Sequence, residues 1–96
     1  SYDDNTPLHI AVKSGNLAMI GILLNAQGID ANAKDWNGQA PLHIAVTSGN
    51  QGIIEALLHA KNININSRDG SNGNTPLYLA VSKENQAAIK TLVAIG

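Results

Sequence analysis

The chain has no cysteine, no phenylalanine, one tryptophan and two tyrosines among its 96 residues. Without cysteine there is no disulfide framework, no thiolate nucleophile and no cysteine-based zinc site, and the composition fits a reducing compartment. With aromatic residues at 3%, aliphatic side chains and alanine must fill the interior. Charge of one sign is missing as well: six Lys and Arg stand against seven Asp and Glu, a formal net charge of −1. That balance offers no electrostatic footprint for nucleic acid or an anionic membrane surface. No apolar run approaches the roughly 20 residues of a membrane span, and no signal-like segment opens the chain. The chain reads as one soluble domain, expected in the cytoplasm, burying only about 60 to 65% of the surface that its unfolded form exposes.

Repetition is what the sequence has in abundance. "NTPLHIAVKSGN" runs from Asn5 to Asn16, "QAPLHIAVTSGN" from Gln39 to Asn50, and a changed copy, "NTPLYLAVSKEN", from Asn74 to Asn85. A catalytic motif needs one copy, so repetition points to architecture. Leu8 recurs 34 positions on as Leu42, and Leu42 recurs 35 positions on as Leu77. The surplus residue falls between Asp69 and Asn74, a stretch rich in Gly and Asn, where a turn absorbs an insertion cheaply.

Each unit spells out two short helices. Thr6 is a helix cap, and Pro7 fits the first helical position because its missing N–H would be unpaired there anyway. "LHIAV" continues the turn and Gly15 stops it. Pro41 with Gly49 repeats the pattern, and Pro76 repeats it with Glu84 where the glycine should be. In the second helix Met19, Ile20, Leu23 and Leu24 share the spacing of one apolar face, as do Ile53, Ile54, Leu57 and Leu58. Helices of two or three turns are marginal alone, so they must be held by their neighbours. "IDANAKDWNG" and "ININSRDGSNG" follow, with Asn-Gly and Asp-Gly chemistry that predicts projecting hairpin-like turns.

Thr6-Pro7-Leu8-His9-Ile10-Ala11, Ala40-Pro41-Leu42-His43-Ile44-Ala45 and Thr75-Pro76-Leu77-Tyr78-Leu79-Ala80 carry a resemblance to the ankyrin repeat family, with its Thr-Pro-Leu-His-x-Ala signature. The resemblance covers nearly the whole chain, including the apolar second helix and the Asp-x-Asn-Ala tail at Asp30 to Ala33. It implies an all-α fold: an ankyrin-repeat solenoid of stacked helix-turn-helix units with projecting β-hairpin-like turns. Repeats are expected at about 2–35, 36–69 and 70–96. Departures are Ala40 without a capping hydroxyl, Tyr78 for His, Glu84 for Gly, and one residue beyond the common repeat length near Gln27 and near Lys61.

In such a stack no unit closes a core alone, and about three are needed for stability. Leu8, Leu42 and Leu77 are all expected inside. The third unit carries Lys83, Glu84, Gln86, Lys90 and Thr91, which read as a polar end cap, whereas the first shows none. The chain is therefore expected to be a fragment of a longer protein, or to self-associate through an uncapped N-terminal repeat.

His9 and His43 invite a metal or general-base role, but they occupy one position in successive units, where the family resemblance implies an imidazole bonded to loop backbone. That fits the rule that buried polar groups are paired. Tyr78 in the third copy is compatible with hydrogen bonding and not with ligation. His59 ends a helix and carries no site role. No strained nucleophile turn and no phosphate-binding loop is present, and "DGSNGN" lacks the ligand pattern of a calcium loop. No catalytic residue, metal or cofactor is expected.

Binding remains. Packing positions must repeat while recognition positions are free to differ, and the family resemblance implies a groove lined by turn tips and the exposed side of the first helices. The turn positions that vary are Tyr2, Trp36 and Ser71, then Asp3, Asn37 and Asn72, then Asn5, Gln39 and Asn74. At the end of the first helix the pairs are Lys13 with Ser14, Thr47 with Ser48, and Ser82 with Lys83. Trp36 is the sharpest candidate because Trp is over-represented among interface hot spots; the alternative is that it folds over a neighbouring turn. Lys34 and Arg68 flank the turns, either reading an acidic partner or simply solvated.

Asn32, preceded by Leu24, Asp30 and Ala31, resembles ankyrin asparagines modified by an asparaginyl hydroxylase, and Asn66 does so less well. The plain alternative is local bonding in a turn. The expected function is a non-catalytic protein-protein interaction module, with no nucleic acid or membrane partner. A structural spacer between flanking domains is the alternative. The abundance of Asn and Ile hints at AT-rich coding, as in intracellular bacteria that export ankyrin proteins, which would place an effector in the host-cell cytoplasm.

Overall fold

A computed structural model describes residues 6–26, 29–35, 38–60, 63–70 and 73–95. These residues form six helices and no strand. Three helices open with proline at or beside the first position: α1 (Pro7–Ser14), α3 (Pro41–Ser48) and α5 (Pro76–Ser82). The other three are α2 (Leu17–Leu24), α4 (Gln51–Leu58) and α6 (Gln86–Ile95).

Local chemistry accounts for these boundaries. The Thr6 hydroxyl accepts a hydrogen bond from the His9 N–H at 3.3 Å, and that of Thr75 accepts one from Tyr78 at 3.2 Å. Ala40, with no hydroxyl, makes no such cap. Gly15 and Gly49 end α1 and α3 in the left-handed region at φ 77° and 78°. Glu84 stands at the matching position after α5 and takes φ 56°, the one positive φ among the described non-glycine residues. The backbone turn survives the replacement. Asn85 N–H donates to Ala80 O at 2.9 Å as Asn16 N–H donates to Ala11 O at 3.3 Å. Each second helix has an asparagine cap: Asn16, Asn50 and Asn85 accept from Met19, Ile53 and Ala88 N–H at 3.1, 3.3 and 3.1 Å.

The helices pack as pairs, α1 on α2, α3 on α4 and α5 on α6. The pairs stack so that α1, α3 and α5 form one row and α2, α4 and α6 a second. The middle pair has neighbours on both sides, and Leu42, Val46, Ile53, Ile54 and Leu57 are wholly buried. Each such side chain stabilises the stack by about 1.5 to 3 kcal/mol relative to exposure.

Three expectations are corrected by this arrangement. Leu8 and Leu42 are 0% exposed, but Leu77 is 38% exposed, because in the structure no helix pair packs beyond α5 and α6. The third pair is not a polar cap either: its end presents Tyr78, Val81, Val93 and Ile95 to solvent, since its Lys and Glu occupy other positions of the two helices. Finally, the second helix of the first pair does not bury one uniform face. Ile20 is buried, Leu23 and Leu24 are half-buried, and Met19 is exposed on the side where no preceding pair stands.

Candidate functional site

The surface that carries the candidate binding residues is built on two turns, between α2 and α3 and between α4 and α5. Asp35 heads the first. Its N–H donates to Gln39 O at 3.0 Å, and its Oδ1 accepts from Gln39 N–H at 3.0 Å. Asp69 does the same for the second with Asn74, at 2.9 Å and 3.1 Å. The closing partner lies four residues after Asp35 but five after Asp69, so the surplus residue lies inside the second turn and leaves its base unchanged. Both aspartates are buried, and a carboxyl accepting a backbone N–H makes a comparatively strong bond. Sequence reasoning missed them; their recurrence at 34-residue spacing was the available signal.

The buried histidines fasten each turn to the preceding helix. His9 Nε2 lies 2.8 Å from Gln39 O, and His43 Nε2 lies 2.9 Å from Ser67 O and 3.0 Å from Asn74 O. Their other ring nitrogens face donors: Nδ1 of His43 accepts from Ala40 N–H at 3.0 Å, and Nδ1 of His9 accepts from Thr6 N–H at 3.3 Å. A carbonyl can only accept and a backbone N–H can only donate, so these partners select the neutral tautomer with its proton on Nε2. The imidazoles are thus structural clasps, with both nitrogens occupied. Tyr78 does not take over this role. It is 58% exposed: its counterparts reach forward into a following turn, and none stacks on α5 among the described residues.

Adjacent turns are also stitched side by side. Lys34 Nζ donates to Arg68 O at 2.8 Å, and Asn32 Oδ1 accepts from Asn64 N–H at 2.7 Å. Asn32 therefore joins two neighbouring tails, while Asn66, its counterpart, is exposed. Gly38 takes φ 75°, and a Cβ there would run into the backbone of Gly70, so the two turns touch main chain to main chain.

The described candidates fall into two sets on this frame. Lys13 with Ser14, Thr47 with Ser48, and Ser82 with Lys83 occupy corresponding ends of α1, α3 and α5, exposed and side by side along one row. The Ser14 and Ser48 hydroxyls donate back to Ala11 O and Ala45 O at 2.9 Å each, which commits those two side chains to their own helices. Lys34, Gln39, Arg68 and Asn74 belong to the turns, and Gln39 and Asn74 serve there through their backbones. Tyr2, Asp3, Asn5, Trp36, Asn37, Ser71 and Asn72 lie outside the described residues, as do Gln27 and Lys61.

No group of three or more His, Cys, Asp or Glu side chains with metal-holding geometry occurs among the described residues. No described helix is long and apolar enough to cross a membrane. Compared with known families, residues 1–69 match a family model described as ankyrin repeats (3 copies), and residues 72–96 match one described as ankyrin repeat. A search of curated proteins finds no match.

Proposed function

The chain belongs to the ankyrin repeat family, whose repeats generally mediate protein-protein interaction and are typically non-catalytic, and on that premise we propose that it binds a partner protein through its turns and the exposed ends of α1, α3 and α5. One observation carries the reading. The turn frame is held by groups that recur, Asp35 with Asp69 and His9 with His43, whereas the exposed side chains mounted on it differ from unit to unit. A repeated frame with unrepeated display is what recognition of one specific surface requires. Four of the six basic residues, Lys13, Lys34, Arg68 and Lys83, belong to this set, which favours a partner segment rich in Asp and Glu.

A photo-crosslinking amino acid placed at Thr47 tests the proposal against one placed at Glu55, which is exposed on the second row of helices. The expected outcome is a defined crosslinked protein from position 47, none from position 55, and loss of the product when Tyr2 and Trp36 are replaced by Ala. Equal labelling from both positions, or none from either, refutes it; the latter leaves a spacer between flanking domains.

A further inference from the structure

The row formed by the ends of α1, α3 and α5 has an order that the proposed function leaves unused. Its middle unit shows that the position itself is open: Thr47, Ser48 and Gly49 are exposed although α3 packs against α1 on one side and α5 on the other. Neighbouring units therefore leave this edge uncovered. A cation, Lys13, stands at the α1 end, hydroxyls and a glycine at the α3 end, and a cation again, Lys83, at the α5 end. Among the described residues Glu84 is the one acid beside them.

Packed helices lie about 8 to 10 Å apart, which sets the step of the row and puts its two cations about two steps apart. A ligand that addresses every unit must present one side chain per step on one face. A β-strand does not, because its residues share a face at every second position, about 7 Å and then about 13 Å along. An α-helix could at every seventh residue, about 10.5 Å, but a docked helix seats an apolar stripe, and no large hydrophobic side chain of α3 is exposed. A polyproline II segment turns once every three residues in about 9 Å, which is the step of the row. Its backbone carbonyls are not bonded internally, so they can accept from a hydroxyl such as that of Thr47.

We infer that the partner segment is an extended peptide of the polyproline II type, lying across the ends of α1, α3 and α5, with acidic residues two turns apart and a hydrogen-bonding residue midway. One acidic side chain meets Lys13 and the other Lys83, while the middle residue meets Thr47. Charge complementarity selects the acids, and the helix spacing selects the conformation. The inference rests on the partner-binding reading above and gives that partner its shape and spacing.

Two synthetic peptides of identical composition decide the matter: acetyl-Glu-Pro-Pro-Ser-Pro-Pro-Glu-amide, which has the inferred spacing, and acetyl-Pro-Glu-Pro-Ser-Pro-Glu-Pro-amide, which does not. Titration followed by backbone amide chemical shifts reads both affinity and place. The first peptide is expected to bind about tenfold tighter, about 1.4 kcal/mol, which two exposed ion pairs can supply, and to move the amides of Lys13, Thr47 and Lys83. Lys13→Gln and Lys83→Gln should each remove about threefold of that preference, and Lys90→Gln, exposed on the second row of helices, should leave it intact. Equal affinity for the two peptides, no binding of either, shifts confined to α2, α4 and α6, or a preference that survives both lysine variants overturns the inference. A crosslinked protein from position 47 reports a partner of any conformation, so its presence beside such a result removes the spacing alone, and its absence removes both readings.

Discussion

Replacing Glu84 by glycine should stabilise the chain, even though it removes a charged side chain and shortens nothing in the fold. Glu84 holds φ 56° after α5, where Gly15 and Gly49 hold 77° and 78° after α1 and α3. An L-residue in the left-handed region costs about 1 to 2 kcal/mol relative to its preferred wells. Glycine gives back about 0.5 to 1 kcal/mol of that through its greater freedom in the unfolded chain. The net gain is about 0.5 to 1 kcal/mol, or a rise in melting temperature of about 2 to 8 °C for a domain of this size. The Glu84 side chain is exposed and has no hydrogen bond or ion pair among the described residues, so nothing offsets the gain. Urea unfolding followed by circular dichroism measures it as a higher midpoint at unchanged slope. Two controls isolate the cause. Glu84→Ala keeps a Cβ and should leave stability within about 0.5 kcal/mol of wild type, a typical surface substitution. Gly49→Ala should lose about 1 kcal/mol, since a Cβ there meets only Asn85 Nδ2 at 3.9 Å and the penalty is conformational. Equal shifts for the Ala and Gly variants at position 84, or a loss with glycine, would refute the backbone argument.

Leu42→Ala should cost about 2 to 5 kcal/mol in the same assay, and Leu77→Ala, measured at dilute concentration, less than about 1, because only the first leaves a cavity between two helix pairs. His43→Ala strands the Ser67 carbonyl and the Ala40 N–H, while the Asn74 carbonyl keeps its bond from Asp69 N–H, and should cost about 2 to 4 kcal/mol, whereas Tyr78→Ala should stay within about 0.5; equal losses would show that the clasp is not what matters. Gly38→Ala combines left-handed strain with collision against Gly70 and should cost about 2 to 4 kcal/mol by thermal unfolding, clearly more than Gly49→Ala.

The fold was legible because its determinants are local and recur. Thr6, Pro7 and Gly15 mark one helix on chemistry that acts within a single turn, and the same chemistry returns at 34 or 35 residues. The insertion between Asp69 and Asn74 could be placed because turn residues announce themselves. What escaped depends on position within the stack. Leu77 is the same residue as Leu8 and Leu42, and nothing in its neighbourhood distinguishes it. Its exposure comes from what packs, or does not pack, on the far side of α5. Met19 misleads for the mirror reason at the other end. Of the candidate surface, the row at the ends of α1, α3 and α5 was legible from unit-to-unit variation. Asp35 and Asp69 were not, because an aspartate in a polar turn looks solvated until its carboxyl is seen closing the turn on Gln39 or Asn74.

The same positional logic separates two kinds of surface that composition alone would confuse. An exposed apolar side chain at an end of the stack differs from its counterparts in burial while matching them in character: Val93 answers to Leu58, and Leu77 to Leu42. Such a residue owes its exposure to its place in the stack and not to its chemistry. An exposed residue along the turn edge matches its counterparts in exposure while differing in character, as Lys13, Thr47 and Ser82 do. No neighbouring repeat in the structure covers that position, so its chemistry is free to follow a partner of another kind. Apolar stacking positions and the charged edge therefore predict different responses to one perturbation. Raised salt should weaken partner contacts made by the exposed cations through screening, and leave or strengthen the packing of Leu42 and its neighbours, which rests on apolar burial. Partner capture that is insensitive to salt, with unfolding that is salt-sensitive, would refute the assignment of recognition to the charged edge.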